Sequence, residues 1–108
     1  MLPKKNRADK KSVEKIFKEG KYINSPLLSF KFMEVNTSTS PRISFVAPKS
    51  VAKLAVKRNL LRRRGYDALK KFMPELPSGL VGVFVFKKYQ EDISVIEHEI
   101  KNIFSKIN

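Results

Sequence analysis

Apolar residues recur along this chain with two periods, and the change from one to the other divides it into elements. In residues 10–19, Val13, Ile16 and Phe17 fall at i, i+3 and i+4, one face of a short helix. Asp9 or Ser12 can cap its start and Gly20 signals its stop, while Lys10, Lys11, Lys15 and Lys18 occupy the remaining surface. Ser25-Pro26 interrupts the pattern. Residues 27–35 then alternate, with Leu28, Phe30 and Phe32 on one side and Ser29 and Lys31 on the other, as a half-buried strand does. The segment Asn36-Thr37-Ser38-Thr39-Ser40-Pro41 reads as a polar loop. Residues 42–47 form a second strand ended by Pro48, and the short connection predicts that it runs antiparallel to the first.

The helical period returns over residues 50–72. At about 100° per residue, Val51, Leu54, Leu61, Ala68, Leu69 and Phe72 share a stripe that can bury against a sheet. Residues 73–79, with Pro74, Pro77 and Gly79, are a loop. Residues 80–86 are almost continuously apolar, as in a strand covered on both faces. In residues 92–107, Ile93, Ile96, Ile100, Ile103 and Ile107 line one helical stripe that Phe104 widens. The predicted order is α-β-β-α-β-α in one α+β domain spanning residues 1–108, with no repeats. Three strands are few, but helices covering a face make such a sheet viable.

Charge changes the picture. The 108 residues carry 23 Lys and Arg against 10 Asp and Glu, a formal net charge of +13. A compact chain with that charge repels itself and calls for a polyanionic partner, nucleic acid or an anionic membrane surface. The hydrophobic fraction of 42% suffices for one modest core. No run approaches the roughly 18 apolar residues of a membrane span. Met1-Leu2-Pro3-Lys4-Lys5 is basic, yet no apolar stretch follows it, which argues against a secretory signal. The absence of cysteine excludes disulfides, thiolate metal sites and cysteine nucleophiles, and fits a cytoplasmic protein.

The charge concentrates in residues 49–71, where Lys49, Lys53, Lys57, Arg58, Arg62, Arg63, Arg64, Lys70 and Lys71 face only Asp67. Lys53, Lys57 and Arg64 fall on one line beside the apolar stripe, and Arg62 and Arg63 project from the other flank. Arg58 lies close to the stripe, where partial shelter fixes its guanidinium. An arginine fork binds phosphate oxygens in a bidentate way that a mobile lysine cannot. Asn59, an amide among cations, can read a base edge, a ribose hydroxyl or a backbone group. A solvated cationic face is the plainer explanation of such a helix. With Asp67, four residues after Arg63, as the one acidic partner at i±4, like charges still destabilise it, and a polyanion offsets that cost. Contact with nucleic acid is the favoured reading, and it predicts binding that weakens steeply with salt.

These residues also carry a resemblance. The chain resembles the bacterial ribonuclease P protein component family over nearly its whole length. Leu2-Pro3-Lys4-Lys5-Asn6-Arg7 looks like the family's start, and Ile16-Phe17-Lys18-Glu19-Gly20 like the end of its first helix. Arg42-Ile43-Ser44-Phe45-Val46-Ala47-Pro48-Lys49 is similar to the strand and turn before its central helix. Ala55-Val56-Lys57-Arg58-Asn59-Leu60-Leu61-Arg62-Arg63-Arg64 aligns with its signature, an Arg-Asn-Arg triplet followed by a basic cluster. Three departures stand out. Leu60 replaces the triplet's second arginine, on the exposed side with Lys53 and Lys57. Gly65-Tyr66 replaces a leucine and a basic residue, predicting a kink or softening. Val13 replaces an aromatic.

The resemblance implies a small α/β sandwich with a left-handed β-α-β crossover, as in the second domain of ribosomal protein S5. Physics alone would favour the opposite hand. It implies a division of labour in which an RNA subunit carries out Mg²⁺-dependent hydrolysis and the protein holds no cofactor firmly. Lys53, Lys57, Arg58, Asn59, Arg62, Arg63 and Arg64 would then face ribonuclease P RNA. A cleft between the first helix and the sheet would take the 5′ leader of precursor tRNA, with Lys4, Lys5 and Arg7 on leader phosphates. Phe17, Phe30 and Phe32 are candidates for its aromatic floor, although Phe30 and Phe32 suit a core equally well. No protein partner and no membrane partner are implied.

Other constellations are poor. His98, the only histidine, lies opposite the isoleucine stripe as a surface residue. Glu91, Asp92, Glu97 and Glu99 gather near the start of the last helix, where carboxylates suit the helix dipole. Neither a phosphate-cradling glycine loop nor a Ser/His/Asp set is present, so no catalytic residue and no protein metal site is expected. The competing function is a ribosomal or ribosome-associated RNA-binding protein, which need not show the ordered match from Leu2 to Arg64.

Overall fold

The computed structural model describes residues 10–34 and 40–107. Along the chain these are α1 (Lys10–Glu19), β1 (Lys21–Asn24), β2 (Leu28–Glu34), β3 (Arg42–Val46), α2 (Ala55–Leu69), a 3-10 turn (Lys70–Glu75), β4 (Leu80–Phe86) and α3 (Ile93–Ser105). The mixed α+β class stands, with a fourth strand added to the predicted order. β1 is that strand: four largely exposed residues, too short to show a period. It forms a hairpin with β2, closed where the Ser25 N–H donates to the Leu28 carbonyl at 2.9 Å.

The sheet order is β1-β2-β4-β3, with β4 antiparallel to β2 and parallel to β3. The predicted β2/β3 pairing is therefore corrected. The two strands run in opposite directions, but β4 lies between them. β4 is the most apolar strand, and only the centre of the sheet buries both of its faces; every residue of β4 but Val85 is buried. α2 makes the crossover between the parallel strands β3 and β4.

Two cores result, one on each face. α2 and α3 cover the first. There Phe30, Phe84 and Phe45 sit in register across β2, β4 and β3, with ring centroids 4.3 and 4.9 Å apart, and Phe104 meets Phe30 and Phe84 edge-on. From α3, Ile96, Ile100 and Ile103 are fully buried, with Ile93 and Ile107 half-buried beside them, as the stripe predicts. Burying each such side chain contributes about 1.5–3 kcal/mol. On the opposite face, Ile16 of α1 packs on Val81 and Val83, with Met33 and Val85 adjoining. The smaller second core leaves part of that face open.

The central helix is shorter than its period suggests. Residues 48–52 make a turn in which the Val51 and Ala52 N–H groups both donate to the Pro48 carbonyl. Leu54 precedes the first helical residue and is 63% exposed instead of lying in the stripe. Leu60 is half-buried. Gly65 makes no break, because α2 runs on to Leu69. No helix among the described residues is long and apolar enough to cross a membrane.

Candidate nucleic-acid interface

Because Leu61, Gly65, Tyr66, Ala68 and Leu69 turn α2 onto the sheet, its cations are left on the outer surface. Lys57, Arg62 and Arg63 are exposed, and so is Lys53, in the turn just before the helix. Arg58 is half-buried, and its Nη1 donates to the carbonyls of Ala52 (3.1 Å) and Lys53 (2.6 Å). The guanidinium thus ties the turn to the helix and is held in a fixed direction, as its place near the stripe predicts. Arg62 donates to Asn59 Oδ1, which orients both side chains on one surface. Arg64 is half-buried, and its Nε is enclosed without a hydrogen-bond partner.

The charge on this surface is largely uncompensated, exposed Asp67 being the one carboxylate of α2. α2 has no acidic residue in its first turn and no side-chain cap at Leu54. Lys53, Lys57 and Arg58 therefore crowd the positive end of the helix dipole, the end that attracts anions. The one ion pair among the described residues joins Lys71 to Glu97 at 2.8 Å, beyond the end of α2. Lys57 Nζ lies 5.9 Å from the ring centroid of Tyr89, an exposed aromatic on the segment after β4. Desolvation and the Glu91 carboxylate raise the Tyr89 phenol above its usual value, while Lys57 acts in the opposite sense.

On the face that α1 only partly covers lies a second feature, a cleft of about 570 Å³ lined by Phe17, Gly20, Tyr22, Ser29, Lys31 and Val85. Phe17 is 44% exposed and Tyr22 55%. The Lys31 ammonium lies between them, 4.6 Å from the Phe17 centroid and 5.9 Å from that of Tyr22. Gly20 lets α1 end against β2: a Cβ there would stand 2.6 Å from the Ile16 carbonyl oxygen and 2.9 Å from that of Phe32. Cations over exposed rings, beside an apolar wall, can bind a base and its phosphate together.

Phe30 and Phe32 do not reach this cleft. They are 0% and 5% exposed, stack on each other at 5.2 Å, and belong to the core under α2 and α3. Strand alternation turns them to the face opposite Ser29 and Lys31, so their candidacy as an aromatic floor is corrected. Phe17 lies on the rim of the cleft rather than beside Ile16 in the core. Lys4, Lys5 and Arg7 lie outside the described residues. Tyr22 and Lys31 are the residues that sequence reasoning overlooked. Lys21-Tyr22-Ile23-Asn24 is too short to carry a periodic signal, and only the β1/β2 pairing places Tyr22 opposite Lys31. Among the described residues, no group of three His, Cys, Asp or Glu side chains could hold a metal ion.

Comparison with known proteins identifies the family. The Ribonuclease P family model matches residues 2–108. A "Ribonuclease P protein component" from a Pseudanabaena species is 30% identical over 113 residues, covering 98% of this chain and 94% of that protein. The RNase P protein from Thermotoga maritima superposes with a TM-score of 0.80 at 21% identity, over 94% of this chain and 97% of that one. An RNase P protein from Staphylococcus aureus gives 0.77 at 12% identity, over 91% and 90%. The structural likenesses, at such identities, speak for the shared fold, while the family match and the relative speak for descent. The chain belongs to the ribonuclease P protein component family.

Proposed function

We propose that this chain is the protein subunit of a ribonuclease P ribonucleoprotein, binding the catalytic RNA through α2 and the 5′ leader of precursor tRNA through the cleft beside α1. The observation that carries the reading is the α2 surface: exposed Lys53, Lys57, Arg62 and Arg63, with Asn59 and Arg58 held among them and no carboxylate in the first turn. Such a surface meets a polyanion at low cost, and in this family the partner implied is RNA. A ribosomal protein would share the charge, but the family match over residues 2–108 favours ribonuclease P. The left-handed β3-α2-β4 crossover belongs to the same reading.

In this assignment the RNA subunit performs the Mg²⁺-dependent hydrolysis that frees the mature 5′ end. The protein's part is electrostatic and positional. Its cations screen repulsion between two RNA molecules, and Phe17, Tyr22 and Lys31 offer a stacking and phosphate site to a single strand. Adding the purified chain to its cognate ribonuclease P RNA is expected to raise precursor-tRNA cleavage at low Mg²⁺, where RNA–RNA repulsion is least screened. No gain under those conditions, or cleavage by the protein without RNA, refutes the assignment.

A further inference from the structure

A second concavity, away from the leader cleft, is absorbed by neither role. The segment after β4 passes α3 and leaves a groove of about 470 Å³ whose lining includes Pro26, Leu27, Tyr89, Ser94, Val95 and His98. Its walls are chiefly apolar. Tyr89 and Val95 remain 39% and 40% exposed there, although both would gain by burial. Lys88, Gln90, Ser94, His98 and Glu99 supply the polar groups, the Glu99 carboxylate being taken up by the Ser25 hydroxyl and the Leu27 N–H. An apolar floor with a small number of placed polar groups is the make-up of a site for one compact ring system.

The rim is cationic where it adjoins α2. Lys88 lines the groove, and Lys57 stands 5.9 Å from the Tyr89 ring, so one aromatic belongs to both the groove and the α2 surface. The nearby acids serve local ends. Glu99 accepts from the Ser25 hydroxyl and the Leu27 N–H, both at 2.8 Å. Asp92 caps α3 by accepting from the Ser94 N–H at 2.9 Å. Glu97 pairs with Lys71, and Glu91, like Lys57, lies close enough to the Tyr89 phenol to act on its ionisation. Neither Lys57 nor Lys88 forms an ion pair among the described residues.

We propose that this groove receives one unstacked base of ribonuclease P RNA, stacked on Tyr89, with the flanking phosphates met by Lys57 and Lys88. The inference rests on the reading of α2 as the surface that docks that RNA, and it extends the contact from α2 to α3. Folded RNA presents such bases in loops and bulges, and stacking them on an aromatic tolerates any base identity.

The test measures affinity of the full chain for its cognate ribonuclease P RNA. Tyr89→Ala is expected to weaken binding about 5- to 150-fold, the range that removal of a base–aromatic stack covers, while Tyr89→Phe binds as the parent does. A second measurement uses the unaltered protein: AMP, GMP, CMP and UMP, titrated separately, are expected to shift the Val95 methyl and His98 ring NMR signals. Unchanged affinity of Tyr89→Ala, equal losses in Ala and Phe variants, or no shift with any nucleotide overturns the proposal. So does a loss confined to precursor tRNA, or shifts that follow protein concentration alone. If Arg62→Glu/Arg63→Glu also leaves affinity intact, the reading of α2 fails; if that variant loses affinity and Tyr89→Ala does not, the groove alone is rejected.

Discussion

Gly65 faces the sheet from within α2, where an added Cβ would stand 2.6 Å from Cδ1 and 2.7 Å from Cε1 of Phe45. The Phe45 ring cannot yield, because it is stacked on Phe84 and met edge-on by Tyr66. Two effects compete in Gly65→Ala. Helix propensity favours alanine by about 1 kcal/mol, while overpacking of a filled core costs about 1–3 kcal/mol. The packing term is expected to win, and urea unfolding will show a lowered midpoint. Tyr66 argues in the same way. Its hydroxyl accepts from the Phe45 N–H at 3.2 Å on the outer edge of β3. Tyr66→Phe leaves that buried donor unmet and is expected to cost about 1–3 kcal/mol in the same assay. The Gly65-Tyr66 pair that reads in sequence as a departure from the family's pattern thus acts as a packing device. The helix pattern alone could not reveal this, because Phe45, the residue that needs the space, lies 20 positions away.

At the scale of the element, α2 joins two opposed surfaces. One buries Leu61, Ala68 and Leu69; the other carries Arg62 and Arg63 into solvent. The apolar set was legible in the i, i+7, i+8 spacing. The cationic set was legible from charge alone, since burial of so many unpaired cations is excluded. The start of the helix was not legible. Residues 50–54 fit the helical period, but Pro48 and the turn that follows it hold them out of the helix, and Arg58 locks that turn by donating to the Ala52 and Lys53 carbonyls. Reversing charge in Arg62→Glu/Arg63→Glu is expected to weaken binding to ribonuclease P RNA. It should also make the slope of log affinity against log salt shallower by about one for each phosphate that is no longer neutralised. Far-UV circular dichroism should remain unchanged, because both side chains are exposed.

Over the whole molecule, the sheet separates the two proposed RNA-facing surfaces. α2 and α3 fill one face; α1 covers part of the other and leaves the cleft at Phe17, Tyr22 and Lys31 open. Variants on opposite faces share no partners, so their effects should add. In the assembled holoenzyme, Phe17→Ala is expected to weaken binding of precursor tRNA with a single-stranded leader by about 5- to 150-fold. Binding of mature tRNA, and assembly with the RNA subunit, should stay unchanged. Equal losses for precursor and mature tRNA would remove Phe17 from the leader site.

Local pattern by itself determined much of this protein: the existence of three helices, strands read over 27–35, 42–47 and 80–86, the isoleucine stripe of α3, and a cationic surface that wants a polyanion. Those features follow from periodicity and from the cost of burying charge, both written in neighbouring residues. Tertiary structure alone decided which strand takes the centre of the sheet and that Phe30 and Phe32 go to its closed face. It also paired Tyr22 with Lys31 and set Gly65 against Phe45. Strand alternation says that two side chains point apart but not which face a helix will cover; that choice belongs to β4, whose apolar faces both have to be buried at once.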